Sequence, residues 1–201
     1  MVILLAHYFT NEDNLKSELK ELNYMLKSDN FTFFSDNGVF SKERIDFGSN
    51  ALIENILEDE KRYHLKVLDL GCGYGLIGIV LNKMIQAEVT MSDVNKRALH
   101  LTERNLKLNN ATAKVVESDC YENIEDKFDL IVTNPPIRAG KDVLLKMLLG
   151  SSDYLTDKGL LWFVMKKDHG AKSMIRELSE KFECTVVEKR KGFYIIKAKI
   201  H

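Results

Sequence analysis

The chain of 201 residues carries 29 Lys+Arg against 30 Asp+Glu, with 45% hydrophobic residues, 29% charged residues and 2 prolines. This composition excludes collagen, coiled-coil and disordered classes, and the length corresponds to one large domain or a domain with a small appendage. At a net charge of -1 no global positive field draws the protein to nucleic acid, so such affinity must come from a local patch.

Taken in chain order, the apolar opening Met1–Ala6 is short, lacks a basic flank and is followed by polar His7–Asn14, so it reads as neither signal peptide nor membrane span. No other apolar stretch approaches the roughly 20 residues that a bilayer crossing needs. Lys16–Lys27 fits either helix or strand. Phe31–Ser35 and Val39–Ser41 flank Asp36-Asn37-Gly38, whose Asn-Gly pair predicts a hairpin turn. Ile45–Glu60 predicts a helix with Gly48-Ser49-Asn50 near its start as the cap and Leu52, Ile53, Ile56 and Leu57 on one face. Residues 1–60 are read as an N-terminal extension packed, without a linker, on a main domain over residues 61–201.

From Lys66 the pattern alternates β-rich runs with helical stretches, as a parallel sheet with crossover helices requires. The expected strands are Lys66–Leu70, Glu88–Ser92, Ala113–Glu117, Phe128–Thr133 and Leu160–Met165. The expected helices are Leu76–Gln86, Lys96–Asn109, Lys141–Leu155 and Ala171–Phe182, with apolar residues at three- and four-residue spacing. Thr185–Glu188 and Phe193–Lys199, separated by Lys189–Gly192, read as an antiparallel hairpin at the sheet edge. Cys72, Cys120 and Cys184 have no paired spacing for zinc or disulfides, which predicts no metal centre and a reducing, cytoplasmic setting.

The run Val67-Leu-Asp-Leu-Gly71-Cys-Gly73-Tyr-Gly75-Leu-Ile-Gly78 puts glycines directly between a buried strand and a helix, where the backbone must turn tightly and approach a ligand. Counted from Gly71, Leu76 stands where a dinucleotide fingerprint has its third glycine. Asp69 before the loop would repel a pyrophosphate but suits a cation, and S-adenosylmethionine carries a sulfonium and an amino group with no phosphate. Asp93, ending the second strand, can accept both ribose hydroxyls, and Asp119, after the third, can accept from an adenine amine. Taken singly, any one of these aspartates also reads as a turn or cap residue.

At the end of the fourth strand stand the chain's only prolines, in Asn134-Pro135-Pro136-Ile137. They make a rigid extended turn whose carbonyl oxygens lack local donors. With these motifs the sequence resembles the class I S-adenosylmethionine-dependent methyltransferases that modify amino groups on planar carbon. Asp36-Asn-Gly-Val-Phe-Ser41, Ile45-Asp-Phe-Gly-Ser49 and Asn134-Pro-Pro-Ile-Arg-Ala-Gly-Lys141 resemble the small-methyltransferase-domain group, which includes bacterial 16S ribosomal RNA guanine-N2 methyltransferases.

The resemblance runs from His7 to about Lys199. It implies a Rossmann-like, mostly parallel sheet with the C-terminal antiparallel hairpin and the small N-terminal extension. It implies that Phe40, Ser41, Asp69, Gly71, Cys72, Gly73, Gly75, Asp93, Val94, Asp119 and Asn134 bind S-adenosylmethionine, and that Asn134, Pro135, Pro136 and Ile137 form the catalytic corner. Most relatives acting on flat bases or amides carry Tyr or Phe after the second proline. Ile137 departs from that pattern, so base stacking must come from elsewhere or be weaker.

In this reading Arg138 and Lys141 contact RNA, whereas Lys166-Lys167 and Lys189–Lys191 are read as solvated ends, His169 as a cap or surface residue and Trp162 as core. The expected partner is ribosomal RNA or the small ribosomal subunit. A protein glutamine amide, adenine N6 and a non-catalytic binding module remain open alternatives.

Overall fold

The computed structural model describes residues 16–201. The readings made of Met1–Ala6 and His7–Asn14 lie outside the described residues. Two strands open the described chain: β1 (Lys20–Leu26) pairs antiparallel with β2 (Asp29–Ser35), so Leu26 faces Asp29 across a two-residue turn at Lys27-Ser28. The open segment before residue 27 is therefore a strand, as the alternation of Leu22, Tyr24 and Leu26 toward the core requires.

The expected hairpin at Asn37-Gly38 is not formed, and Val39–Ser41 lies in a turn rather than a strand. The cause is local. The Asp36 carboxylate accepts from the Glu18 and Asn37 backbone N–H groups and the Ser17 hydroxyl, and pairs with Arg97 at 3.4 Å, which diverts the chain before it can pair back on β2.

Helix α1 (Phe47–Asp59) is capped by Asp46, whose carboxylate accepts from Ser49 N at 2.8 Å. The expected Gly48-Ser49-Asn50 cap instead forms the first turn. Gly48 has a different task, since a Cβ there would meet Phe193 Cε1 at 2.9 Å.

The main sheet follows in the order β5-β4-β3-β6-β7-β9-β8, with β3 (Lys66–Leu70), β4 (Glu88–Asp93), β5 (Ala113–Glu117), β6 (Phe128–Thr133), β7 (Leu155–Lys166), β8 (Phe182–Arg190) and β9 (Phe193–Ile200). Strands β3 to β7 pair in parallel, and β9 joins β7 and β8 antiparallel, so the expected hairpin closes one edge. The intervening helices are α2 (Leu76–Ile85), α3 (Lys96–Leu108), α4 (Lys141–Gly150) and α5 (Ala171–Leu178).

α2 and α3 end one residue before the expected bounds, and α4 and α5 are shorter by several residues. α4 stops at Gly150, where the Ser151 hydroxyl donates to the Leu148 carbonyl, and α5 stops at Leu178 because the buried Phe182 begins β8. Among the described residues no helix is long and apolar enough to cross a membrane.

Alternate side chains of the strands feed opposite cores. Val67, Leu130, Val132, Trp162 and Ile195 pack with α1, α2 and the N-terminal hairpin, whereas Leu68, Leu70, Ile131, Phe163 and Ile196 pack with α4 and α5. Trp162 is fully buried, as expected of a core residue.

Polar bonds also fasten the hairpin to the body. Asn105 on α3 and Asn109, the residue that caps its C-terminus, meet Phe34 and Thr32, two apart on β2. Asn105 accepts from Phe34 N at 2.7 Å and donates to the carbonyls of Phe34 (2.9 Å) and Tyr74 (2.8 Å). Asn109 repeats the pattern with Thr32, so one helix face covers the strand's free edge. Asn105→Ala leaves these buried groups unpaired and should cost about 3 kcal/mol or more of stability, measured by urea unfolding. A loss under about 1 kcal/mol would contradict this role.

Candidate active site

The chain winds one way from β3 to β4 and β5, then returns to β6 on the other side of β3. A crevice therefore opens at the carboxyl ends of β3 and β6, the switch point at which doubly wound sheets bind ligands. The Thr133 hydroxyl donates to the Leu70 carbonyl across that junction at 2.7 Å and ties the two strand ends together.

After β3 the glycine loop folds back on β4: Gly71 N and Cys72 N both donate to the Ser92 carbonyl, at 2.8 and 2.9 Å. Gly71, Gly73 and Gly75 adopt positive φ of 72°, 58° and 91°. A Cβ at Gly73 would meet nothing within 4 Å, whereas one at Gly75 would press on Thr102 at 3.1 Å. Gly73 thus faces open space and Gly75 faces the protein.

Asp93 accepts from Gly73 N and Asn95 N at 2.9 Å each, on different oxygens, which leaves a free lone pair on both. A groove of about 360 Å³ runs past Gly71, Asp93, Val94, Asp119 and Asn134. Asp119 is exposed on its rim and pairs with Lys146 at 3.3 Å. Cys72 is buried against Thr102 and does not line the groove.

Asp69 is also displaced from the groove. It lies beneath the loop, 1% exposed, with one oxygen accepting from Gly78 N at 2.8 Å and the other without a partner. Burial pushes its carboxyl up to about 7, with the Gly78 N–H opposing and the Asp93 charge adding to the rise. Burial likewise raises Asp93, partly offset by the N–H bonds it accepts.

Beyond β6, Asn134 stands at the meeting of this groove with a second hollow of about 590 Å³. Its side-chain nitrogen donates to Asp46 Oδ2 and to Ser49 Oγ, both at 2.9 Å. Among the described residues nothing donates to its Oδ1 or to the Pro135 carbonyl. The two prolines, which lack N–H groups, leave the strand end extended, and a short 3-10 turn (Ile137–Ala139) follows.

The second hollow is lined by Phe40, Ser41, Pro136, Ile137, Arg138 and Lys166, among others. Phe40 and Ser41 therefore lie on this side of Asn134 rather than along the first groove. Lys141, expected beside the site, borders neither hollow and pairs with Glu177 at 2.6 Å. Lys166, His169 and Phe193, read from sequence as bystanders or given no role, do line the second hollow. They come from β7, its 3-10 extension and β9, elements that only the pairing of β7 with β9 brings to the site.

The chain is a doubly wound α/β sheet with a glycine loop, a carboxylate at the end of β4 and two hollows that meet at an Asn-Pro-Pro corner. The chain matches the family model "Methyltransferase small domain" over residues 30–197 and belongs to that family. It is 43% identical over 198 residues to a Bacillus subtilis (strain 168) protein, "Uncharacterized protein YbxB", covering 96% of this chain and 98% of that one. It is 41% identical over 115 residues to "Ribosomal RNA small subunit methyltransferase C" of Haemophilus influenzae (strain PittEE), but this match spans 57% of the chain and only 34% of that relative.

Among solved structures, the T. thermophilus 16S rRNA N2 G1207 methyltransferase (RsmC) in complex with AdoMet and guanosine superposes with a TM-score of 0.81 at 26% identity. That superposition covers 93% of this chain and 52% of the T. thermophilus chain.

The buried Asp69 has a measurable signature. A carboxyl whose folded-state value lies above the unfolded value near 3.8 binds protons more tightly when folded, so its stabilising effect is full below about pH 4 and declines as pH rises to about 7. Asp69→Asn should therefore gain stability relative to the unaltered protein as pH rises from 4 to 7.5, read from melting temperatures at each pH. Parallel pH profiles would contradict the raised value.

Proposed function

We propose that the chain is an S-adenosylmethionine-dependent methyltransferase that modifies the exocyclic N2 of a guanine in small-subunit (16S) ribosomal RNA in the cytoplasm. The observation that carries the reading is a pair of carbonyl oxygens that nothing among the described residues donates to, Asn134 Oδ1 and Pro135 O, on two residues lining the hollow, the first of which also lines the groove.

The groove fits the methyl donor by its chemistry. Gly71 and Gly73 leave backbone exposed, Asp93 keeps lone pairs for ribose hydroxyls, Asp119 is available at the rim, and the carboxylates favour a cation over a phosphate. S-adenosylmethionine, when bound, supplies an electrophilic methyl group on a sulfonium.

The protein's own part is to prepare the nucleophile. The lone pair of a guanine amino group is delocalised into the ring. Acceptance of its two N–H groups by Asn134 Oδ1 and Pro135 O draws the lone pair toward the methyl group. With S-adenosylmethionine bound, attack by this nitrogen would form the N–C bond and leave the C–S electron pair on sulfur, and Asn134 Oδ1 or Pro135 O would pass the surplus N–H proton to water. Positioning supplies most of the rate.

The RNA assignment is supported by relatives named for that substrate and by the hollow's lining. Arg138 and Lys166 are exposed cations for phosphates, and Phe40 and Phe193 offer rings where Ile137 offers none.

The test is labelled methyl transfer from S-adenosylmethionine to unmodified 30S particles and to free 16S RNA, with nuclease digestion and nucleoside mass spectrometry. N2-methylguanosine is expected. N6-methyladenosine, or label removed by protease and not by nuclease, would overturn the substrate assignment.

Asn134→Ala should lower turnover by about 10²–10³ with cofactor affinity kept. Asp93→Ala should weaken cofactor binding first, seen by calorimetry. Phe193→Leu, which keeps apolar packing but removes the flat ring, should raise KM for RNA about tenfold without changing cofactor affinity. An unaltered KM would place stacking elsewhere.

A further inference from the structure

Asn134 accepts a substrate amine only if its oxygen, and not its nitrogen, faces the hollow. The two ends of a side-chain amide are nearly equal in shape, so nothing in the residue itself makes this choice. The choice comes from the start of α1. Both hydrogens of Asn134 Nδ2 are engaged, one by Asp46 Oδ2 and one by Ser49 Oγ, each at 2.9 Å. A flipped amide would set Oδ1 against the Asp46 carboxylate, acceptor against acceptor.

Asp46 Oδ2 simultaneously takes Ser49 N at 2.8 Å, so the cap of α1 and the orientation of the amide share one oxygen. Ser49 is 5% exposed and the amide is part-buried, which limits competition from water. Asn50 and Glu54 bond each other farther along the helix and leave this pair to Asn134.

We infer that Asp46 and Ser49 are positioning residues: they lock the Asn134 amide with its carbonyl toward the hollow and so commit the site to nucleophiles that present N–H donors. Substrates offering a carbonyl or a ring nitrogen acceptor at that point find no donor there. The inference rests on the reading of Asn134 as the amine acceptor, but its first consequence is testable without any RNA.

The experiment pairs a structural readout with kinetics. In the unaltered protein the two side-chain amide protons of Asn134, identified by their loss in Asn134→Asp, should exchange slowly with solvent in ¹H–¹⁵N spectra. Ser49→Ala should free one of them. Asp46→Ser retains a good helix cap but cannot reach Asn134, so melting temperature should hold while exchange quickens.

Turnover on RNA should fall about 10- to 100-fold in both variants with S-adenosylmethionine affinity unchanged. Asp46→Asn, which keeps an oxygen at the same reach, should recover turnover relative to Asp46→Ser. In an Asn134→Ala background neither substitution should lower turnover further, because the group they act through is gone.

Unchanged amide exchange in Ser49→Ala and Asp46→Ser would overturn the positioning role outright. Kinetic losses that add to those of Asn134→Ala would overturn it as well, by showing that the pair acts independently. If the amide protons behave as expected while the unaltered protein methylates no RNA, the lock stands and the substrate reading falls.

Discussion

The parallel pairing of β3 with β6 is the constraint from which the site follows. Because the chain reverses its winding between these neighbours, the loop after each strand leaves in a different direction, and the gap between them cannot be filled by backbone. The Thr133–Leu70 hydrogen bond closes the ends of the two strands, so the glycine loop and the Asn-Pro-Pro corner are held as one edge. Buried apolar side chains on both faces of β3 and β6 make that edge rigid.

Rigidity matters because the chemistry asks little else of the protein. Methyl transfer from a sulfonium needs no metal and no strong base, only a nucleophile set in line and stripped of competing delocalisation. The prolines hold the Pro135 carbonyl free of local donors. Asp69 beneath the loop and Asp93 along the groove are both pushed up by burial, so the loop sits on carboxyls that gain from a nearby positive charge. This polarity sets the site apart from a pyrophosphate cradle built on the same glycine-loop geometry.

Much of this was legible in the sequence where a single local rule decides the outcome. β3, β5 and β6 have the expected bounds because short runs rich in Val, Ile and Leu between turn residues leave few alternatives. The glycine loop, Asp93 and the Asn-Pro-Pro corner stood out because they fall at successive strand ends, although each residue type by itself is common in turns.

Sequence reasoning failed where long-range contacts outweigh a local signal. Asn37-Gly38 has the residues of a hairpin turn, yet Asp36 gathers the N–H groups that such a turn would leave in place. The role of Asp46 was hidden because Gly48-Ser49-Asn50 also reads as a cap, and its second partner lies 88 residues away. Lys166 and Phe193 reach the hollow only through the antiparallel pairing of β7 and β9, which no spacing reveals. Lys141 is adjacent in sequence to the corner but is turned by the start of α4 toward Glu177.

The central claim is geometric: the methyl donor and the target amine meet at Asn134. A crystal structure with S-adenosylhomocysteine and guanosine tests it most directly. The account predicts sulfur in the groove beside Gly71, ribose on Asp93, and guanine N2 within hydrogen-bond distance of both Asn134 Oδ1 and Pro135 O. A guanine bound outside the second hollow, or one presenting O6 or N7 to Asn134, would contradict it.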